Sequence, residues 1–266
     1  MGLLACPACR GGLDPGSTAL ACRTCGARWP VRGGLARLYR EAEVRPRDRL
    51  MRLFYDGLPA LHDPAVRLLL PLIQGVSEAE TRRPIIEALA LGDLPRDRPA
   101  RVLETGIGCG ANVGLVHAAL PAGVTLDYWG MDLSAGMLRR LPGRLRGAPL
   151  PTVVQADAHD LPFATGVFDR VFHVGGLGGF GDPARALAEM ARVARPGTPV
   201  VVVDEQLDPG FRAGPLRRAL FRAVTFYDRH PHAPVEAVPA GATAVESGQA
   251  SPCFYLLRFQ TPARPS

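Results

Sequence analysis

The sequence predicts an α/β protein: a doubly wound, mostly parallel sheet preceded by a small cysteine ribbon. Three observations predict it. The stretch RVLETGIGCG, Arg101 to Gly110, reads as a short buried strand running into a glycine-rich turn and then a helix. Later, Asp182 to Asp204 gives a capped amphipathic helix, an Arg195-Pro196-Gly197 stop and the apolar run TPVVVVD, which suits a strand buried on both faces. At the amino end, Cys6-Pro7-Ala8-Cys9 and Cys22-Arg23-Thr24-Cys25 are two CxxC units separated by twelve residues.

Length and composition set the frame. The 266 residues suffice for one α/β domain and a small appendage, and 47% hydrophobic residues can fill a substantial core. All 31 basic residues are arginine, which with 30 glycines and 26 prolines reflects base composition more than a binding task. The net charge of +6 sits mostly before residue 101 and forms no arginine block of the kind that binds nucleic acid. Cys6 and Cys9 interrupt the first residues, so no secretory leader is expected, and no run of apolar residues is long enough to span a membrane. Cysteine spacing points to a metal site in a reducing, cytoplasmic setting rather than to disulfides.

The chain divides into residues 1–38, 39–99 and 100–266. In the first part, two CxxC knuckles can offer Cys6, Cys9, Cys22 and Cys25 as four thiolates, the set that zinc prefers. An iron centre or a redox pair are the other readings of the same spacing. Four protein ligands leave no open position, so the zinc is expected to be structural, supplying folding energy that some forty residues cannot draw from a core. The pattern CPxC…CxxCGxxWPVRGG, over Leu4 to Leu38, resembles the zinc ribbon of the activator subunit that partners RNA- and protein-directed methyltransferases. Similar ribbons stand in front of bacterial ribosomal-RNA methyltransferases.

Residues 39–99 read as a linker and a helical lid. Arg49 to Leu58 is amphipathic, Pro64 to Ile73 is strongly apolar despite Pro71, and Ser77 caps a helix with a kink or restart at Pro84. Arg82 and Arg83 are candidates for a cofactor carboxylate, with solvated surface arginines as the plainer reading.

In the core, the helix from Ala111 follows the glycine turn, and Val124 to Met131 forms the second strand. Asp132 ends it, about 20 residues past the loop, where a carboxylate can accept both ribose hydroxyls. Ser134 caps the next helix. Pro151 to Gln155 is the third strand, Phe168 to Val174 the fourth, and Thr198 to Asp204 the next. Phe211 to Tyr227 is expected to be helical, with Leu216, Leu220 and Phe221 inward. Two antiparallel strands close the chain, around Ala244 to Glu246 and Phe254 to Phe259. The glycine loop by itself leaves a dinucleotide, another cofactor or a plain turn open. Glu104 argues against a pyrophosphate, which it would repel, and for a cationic group.

The residues after Val102-Leu103, the segment Ala156-Asp157-Ala158-His159-Asp160-Leu161-Pro162-Phe163, the stretch Phe168 to Leu177 and the run EMARVARPGTPVVVVDE together resemble the class I S-adenosylmethionine-dependent methyltransferases of the ubiquinone and menaquinone type. The resemblance implies a Rossmann-like, seven-stranded domain. It implies that Glu104, Gly106, Gly108, Gly110, Met131, Asp132, Asp157, Ala158 and His173 surround S-adenosylmethionine, with Asp157 accepting from the adenine amino group. Phe54-Tyr55-Asp56 resembles a segment lying over the cofactor. His173, at the end of the fourth strand, is a candidate base or orienting group, or else a buried wall residue. The chain departs from the pattern in Glu104-Thr105 and in the glycine-rich Val174 to Gly179, and it lacks the Asn-Pro-Pro motif of base-amino methyltransferases.

The implied function is methyl transfer to an oxygen, nitrogen or carbon of a small, apolar metabolite. The rivals are an RNA methyltransferase guided by the ribbon, discriminated by a continuous arginine face between ribbon and pocket, and a scaffold that keeps the fold without the activity. The acceptor, the pathway and the oligomeric state are not legible.

Overall fold

The computed structural model describes residues 2–57, 69, 71–145 and 147–263. Most of the apolar Pro64–Ile73 stretch therefore lies outside the described residues.

Central strands are buried on both faces, as their composition requires. β5 (Ala100–Thr105) and β9 (Pro199–Glu205) contribute Val102, Leu103 and Val200 to Val203, all fully buried. With β6 (Leu126–Asp132), β7 (Thr152–Ala156) and β8 (Arg170–Val174) they form the parallel run β7-β6-β5-β8-β9. β11 (Phe254–Gln260) pairs antiparallel with β9, and β10 (Thr243–Ser251) with β11. These seven strands are the expected sheet. The order reverses between β5 and β8, which opens a crevice at the carboxyl ends of the strands.

The amino-terminal strands continue the same sheet. β1 (Leu13–Asp14), β2 (Ala19–Cys22), β3 (Arg28–Arg32) and β4 (Leu35–Leu38) pair in sequence as an antiparallel meander. β4 then pairs in parallel with β7, Ala36 to Leu38 against Val154 to Ala156. Among the described residues the result is one sheet of eleven strands. Edge strands expose unpaired N–H and C=O groups, and here the ribbon covers that edge of the core sheet. Leu3, Leu4, Leu20 and Trp29 join the hydrophobic cluster of Phe163, Phe168 and Trp129. Arg10 donates from Nη1 to the Leu161 carbonyl at 2.6 Å and pairs with Asp160 and Glu189.

Helices are stopped and started by the residues that suit those positions. In α1 (Pro46–Gly57) Asp56 is the tether: its Oδ1 accepts from Ser134 Oγ at 2.7 Å and Gly136 N at 2.8 Å. Ser77 and Glu80 make a full capping box at the start of α2 (Glu78–Ala88), and Pro84 lies inside it. α3 (Val113–Ala118) is shorter than the expected run from Ala111, because Gly110 and the residues after it stay in the turn. Ser134 caps α4 (Ala135–Arg144), and Asp182 caps α5 (Pro183–Val193) with Pro183 in the first turn.

The expected helix over Phe211 to Tyr227 is α6 (Pro215–Val224). The inward placement of Leu216 is corrected: it is 72% exposed, and Phe221 is the residue of that helix that is buried. Pro215 starts the helix one residue earlier, so Leu216 falls on the first, outward-facing turn while Phe221 meets the core.

Candidate active site

The candidate metal centre lies in the ribbon, directly after the Leu4-Ala5 segment that bonds to the core loop at Pro162-Phe163. The Sγ atoms of Cys6, Cys9, Cys22 and Cys25 all lie within 4.8 Å of one another, Cys9 to Cys22 at 3.5 Å and Cys6 to Cys25 at 3.8 Å. A tetrahedron of Zn–S bonds of about 2.3 Å has edges near 3.8 Å, so the four thiolates fit zinc. Cys22 Sγ also accepts from Thr24 N and Cys25 N, at 3.4 and 3.5 Å. Each knuckle is closed by a residue in the left-handed region, Arg10 (φ 64°) and Gly26 (φ 70°). At the first knuckle the left-handed position falls to Arg10, whose side chain reaches the core loop from there.

The crevice at the carboxyl ends of the parallel strands is a deep pocket. Glu104, Gly106, Met131, Asp132, Asp157, Ala158 and His173 all line it. Gly108 and Gly110 do not. Gly108 (φ 55°) instead donates its N–H to Asp132 Oδ2 at 2.9 Å, and a Cβ there would meet Met137 Cε at 3.2 Å. At Gly110 (φ 83°) a Cβ would meet Leu141 and Leu145, so this glycine lets α4 close on the turn. Gly106 (φ 68°) is the close-approach position: a Cβ there would lie 2.9 Å from His173 Cε1.

Of the carboxylates that line this cavity, three come from the ends of the successive strands β5, β6 and β7. Glu104 is 1% exposed, accepting from Asn112 Nδ2 and Tyr128 OH, each at 2.6 Å. Burial pushes its carboxyl up to about 7. Arg82 also lines the pocket and donates to Asn112 Oδ1, so it braces the Glu104 network; Arg83 lies outside, facing Glu87. Asp132 accepts from Gly108 N and Ser134 N, and burial pushes it up to about 6. Asp157 Oδ1 accepts from His159 N at 2.9 Å and faces His159 Nδ1 at 2.6 Å.

His173 is 1% exposed, with Nδ1 2.7 Å from the Thr105 carbonyl oxygen. A carbonyl only accepts, so Nδ1 carries the proton and Nε2 is left with a lone pair. Nε2 has no hydrogen-bond partner among the described residues, and burial pushes the imidazole down to about 4. A neutral histidine of that kind orients and accepts, and is a poor reservoir for protons at neutral pH.

Sequence reasoning missed Asp48, Asp204, Glu205 and Tyr227. Asp204 holds the glycine-rich turn after β8, accepting from Gly176 N at 2.6 Å and Gly178 N at 2.7 Å. Glu205 and Tyr227 line the pocket beside it, with Tyr55 from α1. The Asp-Glu pair ending the VVVV strand was a signal for Asp204 and Glu205; nothing local marks Asp48 or Tyr227.

Comparison with known proteins identifies the family of the chain. Residues 105–202 match the family described as "Methyltransferase domain", and residues 1–34 match "Trm112p-like protein". The chain is 31% identical over 192 residues to a phosphatidylethanolamine N-methyltransferase of Cereibacter sphaeroides, covering 70% of this chain and 88% of that protein. It is 40% identical over 111 residues to a malonyl-[acyl-carrier protein] O-methyltransferase of Laribacter hongkongensis, covering 39% of this chain; there it spans only 36% of the relative's length. Among solved structures, a complex between the Haloferax volcanii Trm112 methyltransferase activator and a methyltransferase aligns at TM-score 0.54 and 16% identity, covering 81% of this chain and 99% of that one. The chain belongs to the class I S-adenosylmethionine-dependent methyltransferases, and it carries a Trm112-like ribbon in the same polypeptide.

Proposed function

We propose that this chain transfers a methyl group from S-adenosylmethionine to a small acceptor held where β8 and β9 end. The observation that carries the reading is the convergence of Glu104, Asp132 and Asp157 on one cavity beside the Gly106 turn. Those acceptors fit the cofactor: Glu104 for its ammonium, Asp132 for the ribose hydroxyls and Asp157 for the adenine amino group, with Met131 and Met137 against the apolar faces. The bound cofactor supplies an electrophilic methyl on a sulfonium. The chain aligns the acceptor with it and excludes water, which is most of what a good nucleophile needs. His173 Nε2 then orients the acceptor as a hydrogen-bond acceptor.

A small metabolite is favoured over RNA. Several arginines near the ribbon and the pocket are engaged with carboxylates, Arg37 and Arg52 with Glu41 and Arg40 with Glu43, which supports this reading by reducing the bare positive charge offered to a phosphate backbone. No helix among the described residues is long and apolar enough to cross a membrane, and a reducing, cytoplasmic setting suits the thiolate centre.

Calorimetric titration of the zinc-loaded protein with S-adenosylmethionine, with NADH as control, tests the reading. Saturable binding of the former alone, lost in Asp132→Ala, is expected. No binding of S-adenosylmethionine would overturn it.

A further inference from the structure

Six buried side-chain polar atoms lack a hydrogen-bond partner among the described residues, and four of them belong to residues that line the pocket: Asp48 Oδ2 and His159 Nε2 beside Asp157, and His173 Nε2 and Glu205 Oε2 where β8 and β9 end. Buried polar groups are otherwise almost always satisfied, so a pair of orphans lining one cavity marks a place for a ligand's donors. We infer that this pocket takes an amine as its methyl acceptor, with one N–H held by His173 Nε2 and another by Glu205 Oε2. The inference rests on the proposed methyl-transfer reading and narrows it.

The placement follows from the sheet. His173 and Glu205 end adjacent parallel strands, β8 and β9, in which His173 pairs with Val202 and Val174 with Val203. His173 leans on the Gly106 turn, where the methyl donor's sulfur is expected. Tyr227 lines the pocket with Glu205, and Tyr55, Phe180 and Phe254 complete an aromatic wall. Gly175 and Gly176 (φ 80° and 95°), pinned through Asp204, give a wall of backbone alone, which leaves room for the acceptor's substituent.

Donor counting selects nitrogen. A primary amine offers two N–H groups to the two acceptors and keeps its lone pair free for the methyl carbon. A hydroxyl has one hydrogen and leaves one orphan unmet, and a carbon nucleophile satisfies neither. An alkylamine arrives as an ammonium ion, so the proton must be placed. It passes to the Glu205 carboxylate. The nitrogen lone pair forms the N–C bond, the S–C bonding pair stays on sulfur, and the product leaves as the methylammonium ion. Charge balances: carboxylate, ammonium and sulfonium become carboxylic acid, methylammonium and neutral thioether. Burial and the neighbouring Asp204 make Glu205 a stronger base than an ordinary carboxylate, and the positive charge of the arriving ammonium favours its ionised form until the proton passes.

The test is calorimetry on protein saturated with S-adenosylhomocysteine, which has no methyl to transfer. Octylamine and 1-octanol are titrated separately, followed by mass-spectrometric detection of N-methyloctylamine with S-adenosylmethionine. Octylamine is expected to bind at least about tenfold more tightly than octanol, and Glu205→Gln to weaken octylamine alone by at least about tenfold. S-adenosylhomocysteine affinity reports whether the variant is folded, and the wild-type amine-to-alcohol ratio stands without it. Equal binding of the two, tighter octanol, or no octylamine binding by protein that holds S-adenosylhomocysteine overturns the amine assignment and leaves methyl transfer standing. Failure to bind S-adenosylmethionine or S-adenosylhomocysteine overturns both.

Discussion

Replacing Glu104 by glutamine separates the cost of a buried carboxyl from its use. In the folded chain burial raises this group from 4.5 to about 7. The sign follows from linkage: the folded state holds the proton more tightly than the unfolded one, so stability is full below about 4.5 and declines as pH rises to about 7. At pH 8 the difference amounts to about 3 kcal/mol, from 1.36 kcal/mol per unit. Glutamine keeps the shape and carries no charge. Its oxygen can accept from Asn112 Nδ2, and its amide can donate to the Tyr128 oxygen once that hydroxyl rotates. Glu104→Gln is therefore expected to equal the parent in thermal stability at pH 4. At pH 8 it should melt higher by several degrees, at about 2–4 °C per kcal/mol for a chain of this size. Scanning calorimetry at the two pH values reads this directly. Calorimetric titration with S-adenosylmethionine at pH 8 should show the opposite trend, with affinity reduced about tenfold or more by loss of the charge facing the ammonium. A melting difference that is the same at pH 4 and pH 8 would refute the burial argument. Unchanged cofactor affinity would refute the role of Glu104.

Three further outcomes are expected. In the Glu104→Gln background, affinity for S-adenosylmethionine should weaken about tenfold from pH 7 to pH 5, because Asp132, raised to about 6, must be ionised to accept from the ribose; a flat profile counts against that contact. Gly106→Ala should lose about 1–3 kcal/mol of stability by chemical denaturation, through the left-handed backbone and the clash with His173, and should weaken the cofactor as well; a neutral substitution would mean that the turn relaxes. Zinc chelation, or Cys22→Ser, should lower the melting temperature of the whole chain in one transition, because β4 is a strand of the core sheet and Leu4 and Trp29 share its core; a separate ribbon transition with the main one unmoved would show that the two parts are uncoupled.

The fold and the cofactor half of the pocket were legible because local rules govern both. Glycines at fixed spacing, Asp132 at the end of β6, the Asp182-Pro183 cap and the VVVV strand each act through their own backbone or their near neighbours, so periodicity and spacing expose them. The two CxxC knuckles are legible for the same reason. The acceptor half was not. Asp48 comes from α1, Glu205 from β9 and Tyr227 from beyond α6, and no periodicity marks residues that meet only across the sheet. The orphaned state of His173 Nε2 is likewise a tertiary fact: it arises because the Thr105 carbonyl, 68 residues away in the chain, takes the other ring nitrogen.

The ribbon divides in the same way. Its metal set was written in the cysteine spacing, since four thiolates on two tight turns need only local geometry. Its place as the extension of the core sheet was decided by β4 pairing with β7, a parallel contact between segments more than a hundred residues apart. Backbone hydrogen bonds at a sheet edge carry no side-chain signature, so only the folded chain could choose that edge.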